Sequence, residues 1–226
     1  MIYRDRIDAG KQLAARLSDY ADRDDVLVLA LPRGGVPVAY EVAKALPAPL
    51  DIFLVRKLGV PGHEELAMGA ISTGGARVIN ADVVDYLRIP ARVVDAVVDT
   101  ELRELERRER LYRGARAEPD VSGKTVILVD DGLATGSTMR AAVEALRHQN
   151  PARMVVAVPV SAPQNCDEYR MGVDEIICAQ TPEPFMGVGR WYRDFSQTSD
   201  EEVREILARS ESLNTNDLKD RELVHT

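Results

Sequence analysis

The sequence predicts an α/β fold in which a mostly parallel central sheet is flanked by helices. Two short runs of consecutive apolar residues, 26–31 and 126–129, have the composition of strands that are buried on both faces. Each run is followed by a glycine-containing turn and then by apolar residues at helical spacing. Repeated strand–turn–helix units are typical of parallel sheets that are covered by helices.

The other segments continue this alternation. We predict helices over 7–20, 36–46, 91–112, 139–148, 165–171 and 199–208, and further strands over 51–55, 68–71, 153–160 and 173–178. The stretch 58–72 has Gly and Pro early and is predicted to be a mobile loop that ends in a strand. One domain is placed at 1–208, with its core at 25–195, and the polar residues 209–226 are predicted to form a poorly ordered tail.

Composition and charge limit the class of protein. The chain has 226 residues, 45% of them hydrophobic, which is enough for one domain with a substantial core. A formal net charge of −8 argues against a broad nucleic-acid-binding surface, which needs clustered Lys and Arg. Because no apolar run reaches membrane-spanning length and the N-terminus is polar, we expect a cytoplasmic protein without signal peptide or anchor. Cys166 and Cys178 fit a reduced protein better than a disulfide framework and have no metal-ligand spacing.

The segment 126–138, VILVDDGLATGST, carries the most specific signal. Its strand ends in the adjacent carboxylates Asp130 and Asp131, and a turn of small residues then leads into a predicted helix. A strand, a tight turn and a helix start direct backbone N–H groups and hydroxyls to one point, which suits a phosphate. The Gly-Lys-Ser/Thr ending of a Walker loop is missing, so a nucleoside triphosphatase is not predicted. The carboxylates can accept hydrogen bonds from the hydroxyls of a sugar whose phosphate lies in the turn.

This segment closely resembles the phosphoribosyl pyrophosphate (PRPP) signature of type I phosphoribosyltransferases. The resemblance implies a small hood, a flexible loop, and roles for Asp130 and Asp131 in binding the ribose hydroxyls and in catalysis. It also implies that the 5′-phosphate is held by Ala134, Thr135, Gly136, Ser137 and Thr138. The implied reaction is displacement of pyrophosphate from PRPP by a nitrogen nucleophile. Mg²⁺ is expected on the leaving group, without a metal site made of protein ligands alone.

A second turn, Pro32-Arg33-Gly34-Gly35, follows the first core strand. The glycines allow backbone to approach a ligand closely, and Arg33 offers a forked donor for phosphate oxygens. In the resembled family a loop at this place binds the pyrophosphate of PRPP and often contains a cis peptide, which here would join Pro32 to Arg33. Arg33, Gly34 and Gly35 are therefore assigned to PRPP binding, although an ordinary turn would have the same sequence.

The candidates for catalysis outside these turns depend on weaker patterns. Type I enzymes close a flexible loop over the active site, and the corresponding stretch here begins at Arg56 and Lys57. The resemblance makes Lys57 a candidate catalytic residue, and His63 matches the family loop loosely, whereas Glu64 and Glu65 do not match it. Glu64, Glu65 and His63 are candidates for a general base by position alone, and Glu64 is assigned to catalysis on that ground. Closing such a loop would exclude water from a reactive sugar cation.

The acceptor-binding candidates lie in the aperiodic segment 180–195, which holds much of the scarce aromatic content. It resembles in outline the base pocket of hypoxanthine-type phosphoribosyltransferases, which implies that Phe185 stacks on the acceptor ring and that Trp191 is a second contact. The same aromatic residues could instead fill an edge of the core. Ala134 occupies the position where hypoxanthine-type enzymes carry an Asp before the Thr-Gly of the loop, so their mode of purine binding is in doubt here.

Two functions from different classes remain open. The first is a phosphoribosyltransferase that uses PRPP, Mg²⁺ and a small-molecule, nucleobase-like acceptor. The second is a regulatory protein that senses PRPP or a nucleotide on the same fold with little or no turnover. Intact acids and turns favour the enzyme. The densely charged helix at 91–112 is predicted to be solvated with one core-facing stripe, and its participation in a homodimer is left open.

Overall fold

The computed structural model describes residues 1–114, 116–168 and 172–211, without the side chains of Glu65, Asp167 and Glu168. The strands are β1 (Val26–Ala30), β2 (Leu50–Ile52), β3 (Val55–Val60), β4 (His63–Ser72), β5 (Arg77–Ile79), β6 (Thr125–Val129), β7 (Arg153–Val160) and β8 (Glu175–Gln180). The helices are α1 (Arg6–Ala14), α2 (Gly35–Ala45), α3 (Ala81–Tyr86), α4 (Ala91–Arg113), α5 (Ser137–Arg147), α6 (Pro163–Glu168) and α7 (200–211).

Two sheets organise these elements. The central sheet has five strands in the order β2-β1-β6-β7-β8, and every pairing in it is parallel. The second sheet is antiparallel, has the order β3-β4-β5, and packs against α4 and α5. The predicted α/β class with a mostly parallel central sheet is confirmed.

The central strands are buried on both faces, as their unbroken apolar runs predict. Every residue of β1 and β6 is buried. Val26, Val28 and Ala30 pack in the core cluster that includes residues of α1, α2 and α7, whereas Leu27 and Leu29 pack in the cluster that includes residues of α5. Alternating side chains of one strand therefore pack against helices on opposite faces of the sheet. This packing fixes the position at which each strand ends and the following turn begins.

The stretch 58–72 differs from its prediction. In place of a mobile loop that ends in a strand, the chain forms the β3–β4 hairpin, which turns at Pro61 and Gly62. Gly62 has a φ of 81°, a conformation that glycine adopts at little cost. The buried residues Leu58 and Val60 alternate along β3, but the intervening glycine hides this period in the sequence.

The long helix α4 has the predicted character. Val94, Val98 and Leu105 are buried along one side, and Glu104 forms ion pairs with Arg107 and Arg108 on the other. At least part of its length therefore combines a core-facing stripe with intrahelical charge pairs. The homodimer stays a prediction.

The prediction of reduced cysteines is wrong, because Cys166 and Cys178 form a disulfide. They lie 12 residues apart, on α6 and β8, which follow one another and contact each other. The crossover brings their Cα atoms within 6.7 Å, a separation that a disulfide can bridge. The cytoplasmic location stays a prediction.

The end of the described chain is helical. The Ser199 side chain caps α7 by accepting from the Glu202 N–H at 3.1 Å, and Glu202 in turn accepts from the Ser199 N–H at 2.7 Å. α7 continues three residues past the predicted end at residue 208. The remaining tail, 212–226, lies outside the described residues.

None of the helices in the described ranges has the length and apolar composition that crossing a bilayer requires.

Candidate functional site

The two turns predicted to bind phosphate lie side by side at the carboxyl edge of the central sheet. β1 pairs with β6 in parallel, and Ala30 lies opposite Val129, so residues 31–35 and 130–138 leave adjacent strand ends. The chain continues from β1 to β2 on one side and from β6 to β7 and β8 on the other. The strand order therefore reverses between β1 and β6, which is where open α/β sheets bind ligands.

The glycine turn packs directly on the acidic pair. A Cβ built on Gly34 would lie 2.1 Å from Asp131 Oδ2, and one built on Gly35 would lie 2.7 Å from the Val129 carbonyl oxygen. Any larger residue would therefore push the turn and the acids apart. The peptide bond between Pro32 and Arg33 is cis, as the family resemblance implies.

The acids are held from several parts of the chain. The Asp131 N–H donates to Asp130 Oδ1 at 2.8 Å, and Arg6 donates through Nε to Asp131 Oδ2 at 2.9 Å. Arg6 also places Nη2 2.8 Å from the same oxygen. The Tyr192 hydroxyl donates to the Asp131 carbonyl oxygen at 2.6 Å. These contacts fix both the backbone and the carboxylate of Asp131.

The electrostatics of the pair are unusual for surface carboxylates. Burial raises the pKa of Asp130 well above its usual range, and the adjacent charge of Asp131 raises it further. Burial also raises the pKa of Asp131, against the opposing charge and hydrogen bonds of Arg6. Two carboxylates in a partly dehydrated place repel each other, so a group that brings positive charge or hydroxyl donors would be attracted there.

The turn 134–138 leads into the first turn of α5. Gly136 caps the helix with a φ of 69°, in the left-handed region that favours glycine. Asn165 Nδ2 donates to the Ala134 carbonyl oxygen at 2.7 Å, and Thr135 Oγ1 accepts from the Ser137 N–H at 3.4 Å. Thr135 and Thr138 are exposed. A helix start with exposed hydroxyls beside it suits a phosphate.

Arg33 does not reach toward the other turn in this structure. Its Nη1 lies 3.6 Å from Asp200 Oδ1, and the Tyr112 hydroxyl donates to the same oxygen at 2.6 Å. Burial, together with this carboxylate, raises the pKa of Tyr112 to about 12. The Arg33 side chain is about one-third exposed, so it can exchange this partner for a phosphate oxygen.

The described structure has a cleft of about 960 Å³ between the β3–β4 hairpin and α4. Pro32 and Thr138, which belong to the two turns, line its wall. The cleft is therefore adjacent to the edge of the sheet at which the acidic pair lies. Lys57 and Glu64, both on the β3–β4 hairpin, line the cleft. The remaining lining includes Val55, Arg56, Gly59, Pro61, Arg92, Val93, Ala96, Val97, Thr100, Glu101 and Arg108.

Glu64 has a poor environment for a general base. It is exposed, and Oε1 accepts from the Gly62 N–H at 3.1 Å. Hydrogen bonds from backbone N–H groups lower the pKa of Glu64, whereas a general base at neutral pH needs a raised carboxyl pKa. Its catalytic role stays a prediction, as does that of Lys57.

The predicted acceptor residues lie elsewhere at the same edge. Phe185 and Trp191 pack against the cluster of Tyr3, Ala9, Val160 and Tyr192, and neither is among the residues that line the cleft. Val188, between them, packs so closely on Gly132 that a Cβ there would lie 2.6 Å from Val188 Cγ1. Their segment therefore abuts the start of the 130–138 turn, and their role in acceptor binding stays a prediction.

No sequence motif marks three residues that hold the site together: Arg6, Asn165 and Tyr192. Arg6 is separated from Asp131 by 125 residues, and Tyr192 by 61. Tyr192 lies in the segment assigned to the acceptor, but nothing in the local sequence of any of the three indicates its contact with the 130–138 turn.

Asp130 and Asp131 could supply only one or two ligands to a metal ion. Among the described residues no group of three or more His, Cys, Asp or Glu is arranged to hold one. Asp131 is already bonded to Arg6, whereas the carboxylate of Asp130 accepts from the Asp131 N–H and forms no ion pair within the described part of the chain. One or two carboxylates suit Mg²⁺, which usually takes its other ligands from substrate oxygens and water.

The fold and site together define a class: an open α/β protein with an acid pair and a helix-start turn at the topological switch point. The family model for the phosphoribosyl transferase domain matches residues 1–189. The chain therefore belongs to the phosphoribosyl transferase family, as its signature predicts.

Several known proteins resemble this chain. Two strains of Mycobacterium tuberculosis have proteins named "Putative phosphoribosyl transferase" that are 46% identical over 209 residues, which cover 92% of this chain and 47% of theirs. The chain thus spans about half the length of these relatives. A Roseiflexus protein named "Bifunctional protein PyrR" is 32% identical over 61% of this chain and 68% of its own. The crystal structure of the protein TT1426 from Thermus thermophilus has a TM-score of 0.83 at 39% identity and covers 92% of this chain and 98% of that one.

Proposed function

We propose that this protein is a phosphoribosyltransferase that transfers the 5-phosphoribosyl group of PRPP to a nitrogen nucleophile and releases pyrophosphate. The observation that carries the proposal is the meeting of three features at one sheet edge. These are the acids Asp130 and Asp131, the glycine turn 32–35 packed on them, and the turn 134–138 at the start of α5. PRPP carries a 5′-phosphate and a 1-pyrophosphate on its ribose, together with the 2′- and 3′-hydroxyls, which are the groups that these features suit.

The chemistry requires little covalent participation by the protein. As the bond from the anomeric carbon to pyrophosphate breaks, positive charge develops on the ribose. The negative charge of Asp130 and Asp131 would stabilise that charge, and hydrogen bonds to the ribose hydroxyls would hold the ring in place. Backbone N–H groups and hydroxyls of 134–138 would bind the 5′-phosphate, and Arg33 with Gly34 and Gly35 would bind the pyrophosphate.

Magnesium fits this assignment. Asp130 would hold Mg²⁺, directly or through water, and the phosphate oxygens of PRPP would complete the coordination. When bound, the ion would neutralise negative charge on the leaving pyrophosphate.

The acceptor has two candidate positions. The cleft beside Thr138 has apolar lining from α4 and β3 and basic groups such as Lys57 and Arg92 at its wall. The Phe185 and Trp191 segment lies at the start of the 130–138 turn. We favour the cleft, because it is open and reaches both phosphate-binding turns, whereas the aromatic residues pack on a core cluster.

Titration calorimetry with PRPP and Mg²⁺ tests binding, and pyrophosphate release during a screen of nucleobases and related amines tests turnover. Ribose 5-phosphate is the matched control, because it keeps the 5′-phosphate and hydroxyls but lacks the pyrophosphate. We expect PRPP to bind more tightly than ribose 5-phosphate and pyrophosphate to appear with at least one acceptor. Absence of PRPP binding by the folded protein would contradict the proposal.

The alternative function is a regulatory protein that senses PRPP or a nucleotide without turnover. The observation in its favour is the poor environment of Glu64, which leaves the described part of the cleft without an evident general base. Tight PRPP binding with no pyrophosphate release across the screen would favour this alternative over the enzyme.

A further inference from the structure

Arg6, the first residue of α1, forms an ion pair with Asp131, the second acid of the pair. Arg6 Nε and Nη2 lie 2.9 and 2.8 Å from Asp131 Oδ2. The Arg6 and Asp131 side chains are only 11% and 14% exposed. An ion pair that water barely reaches is held in a fixed geometry, and removal of one partner leaves the other charge uncompensated.

Arg6 is fixed on its other sides by the segment that precedes α7. Its Nη1 donates to the Ser196 carbonyl oxygen at 2.7 Å, and its guanidinium carbon lies 4.1 Å from the centre of the Phe195 ring. Stacking on an aromatic face suits a planar guanidinium and does not suit an ammonium group equally well. The orientation of Arg6 is therefore set before any ligand arrives.

The carboxylate that Arg6 holds also supports the glycine turn. A Cβ on Gly34 would lie 2.1 Å from Asp131 Oδ2 and 3.3 Å from Arg6 Nε. Arg6, Asp131 and Gly34 are thus packed in sequence, from the first helix to the turn assigned to pyrophosphate. A rotation of the Asp131 side chain would move it into or away from this turn.

We propose that Arg6 is a positioning residue, which holds the Asp131 carboxylate under the Gly34 turn and so shapes the pyrophosphate side of the site. The two acids then differ in their support: Arg6 holds the carboxylate of Asp131, whereas Asp130 forms no ion pair within the described part of the chain. The proposal rests on the proposed function for the identity of the ligand, but its structural part does not need the ligand.

The ligand-free test uses the backbone amides of Gly34 and Gly35 as reporters in ¹H–¹⁵N NMR spectra. We compare Arg6→Gln with Arg4→Gln, a matched control in which the replaced arginine is 71% exposed and lies 3.6 Å from Asp8. Arg6→Gln should shift or broaden both glycine resonances, and Arg4→Gln should leave them in place. Unchanged glycine resonances in folded Arg6→Gln protein overturn the proposal.

The ligand test measures PRPP affinity by calorimetry in the presence of Mg²⁺. Arg6→Gln should weaken PRPP binding about tenfold or more, Arg6→Lys should recover only part of the loss, and Arg4→Gln should stay within about twofold of the original protein. Combining Arg6→Gln with Asp131→Asn should weaken binding little beyond the worse single variant, because both act through one contact. Fully additive losses overturn the proposal.

The two tests separate this inference from the function on which it rests. If the unmodified protein does not bind PRPP, the proposed function fails, and the glycine resonances still decide whether Arg6 positions the turn. If the unmodified protein binds PRPP and Arg6→Gln binds it equally well, the function stands and the role of Arg6 is refuted.

Discussion

Replacing Asp130 with Asn should stabilise the ligand-free protein at neutral pH. Burial and the charge of Asp131 raise the pKa of Asp130 above the unfolded value of 3.8, so the ionised form is less favourable in the folded chain than in the unfolded one. Between the two pKa values the folded state binds more protons, and stability therefore falls as the pH rises through this window. The ionised carboxylate of Asp130 therefore lowers the stability of the free protein, a cost that is common where a site is built for a ligand.

The size of the effect follows from what the substitution keeps and removes. Asn keeps an oxygen that can accept the 2.8 Å hydrogen bond from the Asp131 N–H, and it removes the buried charge. We expect a gain of roughly 1–3 kcal/mol in the free energy of unfolding at pH 7, the usual cost of a poorly compensated buried polar group. For a chain of this size that is roughly 2–12 °C in melting temperature. Asp131→Asn should not give this gain, because it leaves the nearly buried Arg6 guanidinium without its charged partner.

Thermal denaturation followed by circular dichroism, without Mg²⁺ or phosphate, measures the difference at a series of pH values. The advantage of Asp130→Asn should be largest near pH 7 and should shrink as the pH falls through the raised pKa of Asp130, where the folded protein takes up the proton. A variant no more stable than the original at pH 7, or an advantage that does not change with pH, would refute the reasoning.

The other predictions concern ligand binding and turnover. Gly35→Ala should weaken PRPP binding by at least about tenfold in calorimetry, because its Cβ would meet the Val129 carbonyl oxygen at 2.7 Å; unchanged affinity would contradict the packing argument. The double change Asp130→Asn and Asp131→Asn should also weaken it more than about tenfold, since charge-assisted hydrogen bonds contribute roughly 1.5–3 kcal/mol each. Glu64→Gln should lower turnover about 10²-fold or more with PRPP affinity intact if Glu64 is the base; full turnover would exclude it. Phe185→Ala should leave the acceptor KM within about twofold if the cleft is the acceptor site, and a large rise would favour the aromatic segment.

The two turns to which we assign phosphate binding could be predicted because each is continuous in the chain. In 126–138 the strand, the acids, the turn and the helix start follow one another, so their relative placement depends on local geometry alone. The parallel sheet could be predicted because short runs of consecutive apolar residues, each followed by a turn and a helix, are typical of parallel strands that are buried on both faces. The sequence by itself thus determined the class of fold, the acidic pair and the turns beside it.

What the tertiary structure decided is how distant segments meet around that pair. Arg6 reaches Asp131 across 125 residues, and Asn165 and Tyr192 reach the same turn from elements beyond α5. The disulfide between Cys166 and Cys178 likewise depends on the crossover that places α6 beside β8. Contacts of this kind leave no local pattern, because the residue types involved occur throughout the chain, and only the packing of helices on the sheet selects which of them become neighbours.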